Sequence, residues 1–141
     1  MLIAPNDDYT AHAVSLHTPT DENPDGFHRL IGGSVELGET HQEAIVREVA
    51  EELGATILGL TYVGVLENIF RINGVLGHEV VFVYTGRLDP APAAVGATLT
   101  EADGSVVPVV WRRFGDPEAV PLYPGHVVAW AERLARGASA D

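Results

Sequence analysis

Between Gly32 and Ala55 the chain places six glutamates, Glu36, Glu39, Glu43, Glu48, Glu51 and Glu52, against a single arginine, Arg47. Carboxylates do chemistry when they converge, because together they can hold a hard cation. The spacing here allows convergence. Thr40 and Glu43 spell a capping box, each side chain satisfying an orphan amide of a first helical turn. Gly54 stands where a left-handed C-cap is wanted, so the segment predicts a helix from about residue 41 to 53. On that helix Ile45, Val46, Val49 and Leu53 share an arc of roughly 100° facing a core, and Glu48, Glu51 and Glu52 take the adjoining arc. Two carboxylates about 6 Å apart repel by on the order of 1 kcal/mol in water, and by several times that in a partly buried cleft. A divalent cation such as Mg²⁺ removes this cost, since it prefers carboxylate oxygens and shares its other positions with water and substrate phosphates. Arg47 can fix one carboxylate through its planar donor fork. Gly32 and Gly33 let backbone approach an ion or ligand closely.

Composition narrows the chemistry. The 141 residues suffice for one domain with a core of its own, and the hydrophobic fraction of 46% with 20% charged residues is that of a soluble folded protein. There is no cysteine, which excludes thiol nucleophiles, thiolate zinc sites and disulfides. All 8 basic residues are arginines, so a Walker-type phosphate loop and Schiff-base chemistry are excluded as well. The net charge of −12 persists outside the glutamate segment, where 14 acidic residues face 7 arginines. Such a surface repels duplex nucleic acid and admits small anions only with the help of a cation. No apolar run is long enough to span a bilayer, and the N-terminus lacks the pattern of a secretory leader, so the cytoplasm is the expected location.

The elements that must position the glutamates are partly legible. Ala11–His17 alternates like a short strand, and Thr18–Gly26 has the composition of a loop. Thr56–Phe70 and His78–Leu88 are expected to be strands of an antiparallel hairpin, joined by a loop near residues 71–77 around Asn73-Gly74 and kinked near Gly59 or Gly64. Residues 89–105 form a surface loop, Val106–Phe114 a further strand, Asp116–Gly125 a loop, and residues 126–136 a C-terminal helix, with a frayed tail after it.

A solvated helix face is the plainer explanation for a glutamate run, but the fixed positions here are many. Gly33, five residues, Glu39, seven residues, Arg47-Glu48, an aliphatic Val49, Ala50, Glu51-Glu52, Leu53 and Gly54 match the Nudix box. The usual larger aliphatic residue at the end is Ala55, and the usual proline before the two glycines is Ile31. The chain therefore resembles the Nudix hydrolases, over most of residues 29–134 when "LENIFRINGVLGHEVVFVYTG" and "PLYPG" are included.

The resemblance implies one domain over residues 1–141, an α/β/α sandwich with a mixed sheet, and the box at 33–55. It also implies Mg²⁺- or Mn²⁺-dependent cleavage of a nucleoside diphosphate linked to another group. By position, Glu48, Glu51 and Glu52 with the Gly33 carbonyl are metal ligands, Glu39 supports the cluster and Arg47 orients it. Glu51, Glu52, Arg47 and Glu79 are the catalytic candidates. Glu79, His78, Glu51 and Glu52 all remain open as general base. Arg29, Glu67, Phe70, His78 and Tyr123 are candidates for substrate contact, with Phe27 and Trp111 as further aromatics able to stack on a base. The family normally carries a strand hairpin before the box, of which "MLIA" matches only the second strand. Either Ala11–His17 replaces the first or a sheet edge stays open, which would favour a homodimer. A nucleotide-sensing module with little turnover is the alternative function, and an acidic metal-buffering protein a third.

Overall fold

The computed structural model describes the backbone of residues 1–140 and the side chains of residues 1–137. In chain order the elements are β1 (Leu2–Pro5), β2 (Ala11–His17), β3 (Phe27–Leu30), α1 (His41–Leu53), β4 (Thr56–Ile72), β5 (Val75–Asp89), β6 (Thr98–Thr100), β7 (Val106–Arg113), β8 (Leu122–Tyr123) and α2 (Val127–Ala140). Alternation along the strands decides the layers, because successive side chains of a strand point to opposite faces. Leu2 and Ala4 of β1, Ala13 of β2, Tyr84 of β5 and Val109 of β7 pack with Ile45 and Val49 of α1. Their neighbours Ile3, Val14, Val81 and Val83 fall on the other face and pack with Val127 and Ala131 of α2. A curled mixed sheet thus lies between two helices, the α/β/α sandwich expected from the sequence. Each fully buried aliphatic side chain contributes about 1.5–3 kcal/mol from removal of its surface from water.

At the N-terminal segment the structure takes the first of the two alternatives, Ala11–His17 as the partner strand. Residues 1–5 are not half of an incomplete hairpin: β1 pairs antiparallel with β2 (Ala4 opposite Ala13) and parallel with β5 (Leu2 opposite Tyr84). Ala11–His17 supplies the partner, and no edge is left open at this position. β2 is itself bordered by β7 along residues 11–15, and by β1 and then β3 at residues 12–17.

The long hairpin is more regular than the sequence suggested, since β4 and β5 pair out to Ile72 opposite Val75 around a two-residue Asn73-Gly74 turn. Register shifts fall between Leu58 and Thr61 and between Tyr62 and Gly64, at the two glycines expected to kink it. Residues 89–105 are not all loop, because β6 forms there and pairs with β7. Val46, assigned to the core-facing arc, is 48% exposed, whereas Ile45 and Val49 are buried. Ala44, one residue before Ile45, takes its place, so the buried stripe of α1 is rotated away from Val46. Helix α2 continues through Ala140, beyond the expected end at 136, and Asp141, the last residue of the tail expected to fray, lies outside the described residues. Among the described residues no helix is long and apolar enough to cross a membrane.

The loop after β2 is fastened to the tip of the hairpin. The Glu22 carboxylate accepts from the amides of Asn73 (2.7 Å) and Gly74 (3.0 Å), and the Asn73 side chain accepts from the Asp21 amide at 2.9 Å. These bonds hold the Glu22 carboxyl below its ordinary pKa. Charge-assisted bonds of this kind are the stronger ones, so Glu22→Ala should speed hydrogen exchange at the Asn73 and Gly74 amides by roughly tenfold. Exchange in β1 and in the β5 core should stay unchanged in the same measurement.

Candidate active site

Helix α1 forms as its sequence dictates. The Thr40 side chain accepts from the Glu43 amide, the Glu43 side chain accepts from the Thr40 amide, and Gly54 closes the helix in the left-handed conformation at φ 62°. A cap of this kind contributes about 1 kcal/mol. The helix fixes Glu48 and Glu52 one turn apart on a single side, facing the Gly32–Gly33 loop. A Cβ at Gly33 would lie only 2.5 Å from the Glu48 carboxyl carbon, so this close approach requires glycine.

Arg47 organises the acids around it. Its Nε and Nη2 donate to the two oxygens of Glu39 at 2.6 and 2.9 Å, and Nη1 donates to Glu48 at 3.0 Å and Glu51 at 3.1 Å. Nη2 also donates to the Ser34 carbonyl at 3.0 Å, which ties the loop to the helix. The guanidinium holds the Glu39 carboxyl far below its usual range, at about 2. Arg47 itself is correspondingly raised, first by the Glu39 hydrogen bonds.

Glu52 behaves in the opposite way. Burial pushes its carboxyl up to about 8, reinforced by a side-chain hydrogen bond with Glu48 and by the charges of Glu48, Glu101 and Glu51. The two carboxyl groups stand close together beside the Gly33 backbone, and burial favours the protonated form of Glu52. They border a cleft of about 680 Å³ whose lining also includes Arg29, His41, Glu79, Phe82, Glu101 and Asp103. Among the described residues, no three His, Asp or Glu side chains converge closely enough to enclose a metal ion.

The residues singled out in the sequence separate into groups. Gly33, Glu48, Glu52, Glu79 and Arg29 line the cleft. Glu79 accepts from the Asn68 side chain at 2.9 Å and from Arg29 at 3.4 Å. Glu51 does not share the arc of Glu48 and Glu52: its side chain is 62% exposed, turns to Arg47 and lies outside the cleft lining. Glu67 and His78 pair with each other at 2.8 Å on the exposed hairpin, likewise outside it. Phe70 and Tyr123 meet Phe27 and Arg29 around a small separate pocket beside the cleft. Trp111 packs against the core and donates to the Pro92 carbonyl at 3.2 Å.

The sequence profile of the NUDIX domain matches residues 9–131. The chain belongs to the Nudix family. A Mycobacterium tuberculosis protein carrying the name mutator protein MutT4 is 34% identical over 79 residues, covering 56% of this chain and 29% of that protein. The chain thus spans less than a third of the length of this curated relative. Two solved structures share the fold at 24% identity. The Escherichia coli ORF135 protein has a TM-score of 0.54, with 97% of this chain and 88% of that one covered. A MutT NUDIX hydrolase from Burkholderia pseudomallei has a TM-score of 0.63, with coverage of 94% and 92%.

This Nudix domain brings three chemically apt residues to the cleft that the sequence did not reveal, namely His41, Glu101 and Asp103. Glu101 and Asp103 follow β6, whose backbone pairing with β7 returns the segment to α1. Their only signal was "TEADGS", an acidic turn in a segment otherwise rich in alanine and proline. His41 was visible merely as the first helical residue, on the same side as Glu48 two turns later.

The raised Glu52 carboxyl has a measurable consequence. Its pKa is pushed up to about 8 in the folded protein, against an ordinary value of 4.5 in an unfolded chain. Across that window the unfolded state binds fewer protons, so metal-free stability falls as pH rises. Glu52→Gln, neutral throughout, should melt roughly 2–6 °C above the parent protein in chelator-treated buffer near pH 8. The two melting curves should converge below about pH 4.

Proposed function

We propose that this Nudix hydrolase is a divalent-metal-dependent pyrophosphohydrolase that cleaves the diphosphate linkage of a small nucleotide or nucleoside diphosphate derivative. The observation that carries this reading is the placing of Glu48 and Glu52 one turn apart beside the Gly33 backbone, in a cleft large enough for a nucleotide. Two acids this close on a cleft wall favour a cation beside them. The donor set suits Mg²⁺ or Mn²⁺, because Mg²⁺ is commonly bound through one or two carboxylates, waters and substrate phosphates and needs no all-protein cage. Glu48, Glu52 and the Gly33 carbonyl would hold the ion, which when bound neutralises phosphate charge and lowers the pKa of a coordinated water.

The remaining chemistry belongs to the chain. Arg47 keeps Glu48 aimed at the cleft and, by neutralising Glu39 and Glu51, limits the repulsion the helix must bear. Arg29 is the cation of the cleft lining and meets a phosphate oxygen as Glu79 releases it. Three carboxylates outside the motif line the cleft, those of Glu79, Glu101 and Asp103. Glu79 is engaged by Asn68 and Arg29, so its role is to orient Arg29. Glu101, close enough to Glu52 to raise its pKa, is the proton acceptor for the attacking water. The protein acts on free small molecules and not on duplex nucleic acid, given its net charge of −12. A homodimer formed through the uncovered edge strand β4 is part of the proposal, and light scattering decides it.

A panel of nucleoside triphosphates, nucleotide sugars and dinucleoside polyphosphates, incubated with Mg²⁺ or Mn²⁺ and resolved by chromatography, tests the activity. Glu52→Gln should lower turnover of the best substrate by at least about a hundredfold, and Glu101→Gln should lower kcat with little change in KM. Equal turnover by Glu52→Gln and the parent protein would refute the assignment. Tight nucleotide binding with no turnover of any compound would favour the sensing module instead.

A further inference from the structure

The cleft has two chemically different ends. Of the α1 residues that line it, Glu48 and Glu52 occupy the C-terminal half and His41 the N-terminal end. Seven residues at 1.5 Å rise each separate His41 from Glu48 by about 10 Å along the axis. An ion held at Glu48 and Glu52, and a diphosphate bridging it, fill only the near part of that distance. The rest of that distance leaves room for the group the diphosphate carries to extend toward His41.

The imidazole at that end is held rigidly. Phe82 stacks on it face to face at 4.1 Å with an interplanar angle of 1°. Tyr62 and Tyr84 pack around it at 5.5 and 5.6 Å between ring centroids. The Tyr84 hydroxyl meets Nδ1 at 2.6 Å. Phe82 and Val80 extend the same surface along β5, and both line the cleft. A side chain on α1 has no need of such fixation unless its orientation matters. The surroundings are aromatic and aliphatic, which suits a sugar or base ring better than a charged phosphate.

Resting on the functional reading above, we infer that His41 fixes the nucleoside moiety of the substrate, with Nε2–H donating to a ribose or base acceptor above the Phe82–Val80 floor. In the inferred arrangement the Tyr84 O–H donates to Nδ1, 2.6 Å away, and the ring proton resides on Nε2. Tyr84 is a positioning residue that selects this tautomer, while His41 makes the contact. The inference separates two jobs along one helix: the carboxylates select the diphosphate and His41 selects what is attached to it.

Two non-hydrolysable probes separate these jobs: methylenediphosphonate, and the α,β-methylene diphosphates of adenosine, guanosine, cytidine and uridine. Titration calorimetry with Mg²⁺ gives the affinity of each, and the tightest nucleoside probe is taken forward. His41→Ala should weaken that probe roughly tenfold, the value of one lost hydrogen bond, and leave methylenediphosphonate binding unchanged. Tyr84→Phe, which keeps the packing and loses the orienting hydroxyl, should weaken it by a smaller factor of roughly three. His41→Gln, which retains an N–H donor, should recover part of the loss and guards against a folding defect in the alanine variant. Equal weakening of both probes, or of neither, would overturn the inference while leaving the pyrophosphohydrolase reading intact. So would a parent protein that binds the nucleoside probe no better than methylenediphosphonate. A parent protein that binds neither probe with Mg²⁺ would overturn the functional reading and the inference together.

Discussion

Six glutamates stand between Gly32 and Ala55, and one guanidinium reconciles them. Arg47 reaches Glu39, Glu48 and Glu51 and the Ser34 carbonyl at once, and no lysine could do so, because an ammonium lacks the planar fork that spans two carboxylates while still donating sideways. The result is a division of the acids into two classes. Glu36, Glu39, Glu48 and Glu51 are paired with the guanidinium and Glu43 caps the helix, whereas Glu52 is left buried among the charges of its neighbours. The loop and the helix thereby become one mechanical unit. The Gly33 backbone lies against a carboxylate whose direction Arg47 has already set.

Strand β5 does for the opposite wall what α1 does for the acidic one. Its alternation sends Val81 and Val83 into the core beneath α2, and presents Phe82 and Tyr84 to the side occupied by α1. The same strand that completes the hydrophobic interior thus carries the aromatic floor of the cleft. Rigidity of the site follows from this double use, since a rotation that moved Phe82 would also displace Val81 and Val83 from close packing. Arg29 on β3 and Glu79 on β5 pair at 3.4 Å in the cleft lining and join these two strands there.

Local patterns in the sequence were decisive wherever the structure is local. The capping box at Thr40 and Glu43, the terminating Gly54 and the Asn73-Gly74 turn each appear at the residues that specify them. What stayed hidden depends on distant pairing. The parallel match of Leu2 with Tyr84 has no signature in either strand, so β1 could not be placed between β2 and β5. Glu101 reaches the cleft because β6 pairs with β7, and nothing in residues 89–105 announces that return. Helical spacing alone could not tell that Glu51 prefers Arg47 to the company of Glu52, because a partner four residues away competes with a site on the adjoining face. The same limit misplaced Val46, whose burial depends on how the helix is rolled over the sheet.

The central position of β1 bears on how the protein is made. The Ile3 carbonyl accepts from the Thr85 hydroxyl, a partner 82 residues further along the chain. At translation rates of roughly 5–20 residues per second, the first apolar strand waits about 4–16 s before its parallel neighbour has been synthesised. During that interval Leu2 and Ile3 have only earlier partners, Ala13, Val14, Leu30, Ile31, Ile45 and Val49. The first of these is brought back by the β1–β2 turn that Asn6 organises, its side-chain oxygen accepting from the amides of Thr10 and Ala11 at 3.0 and 3.1 Å.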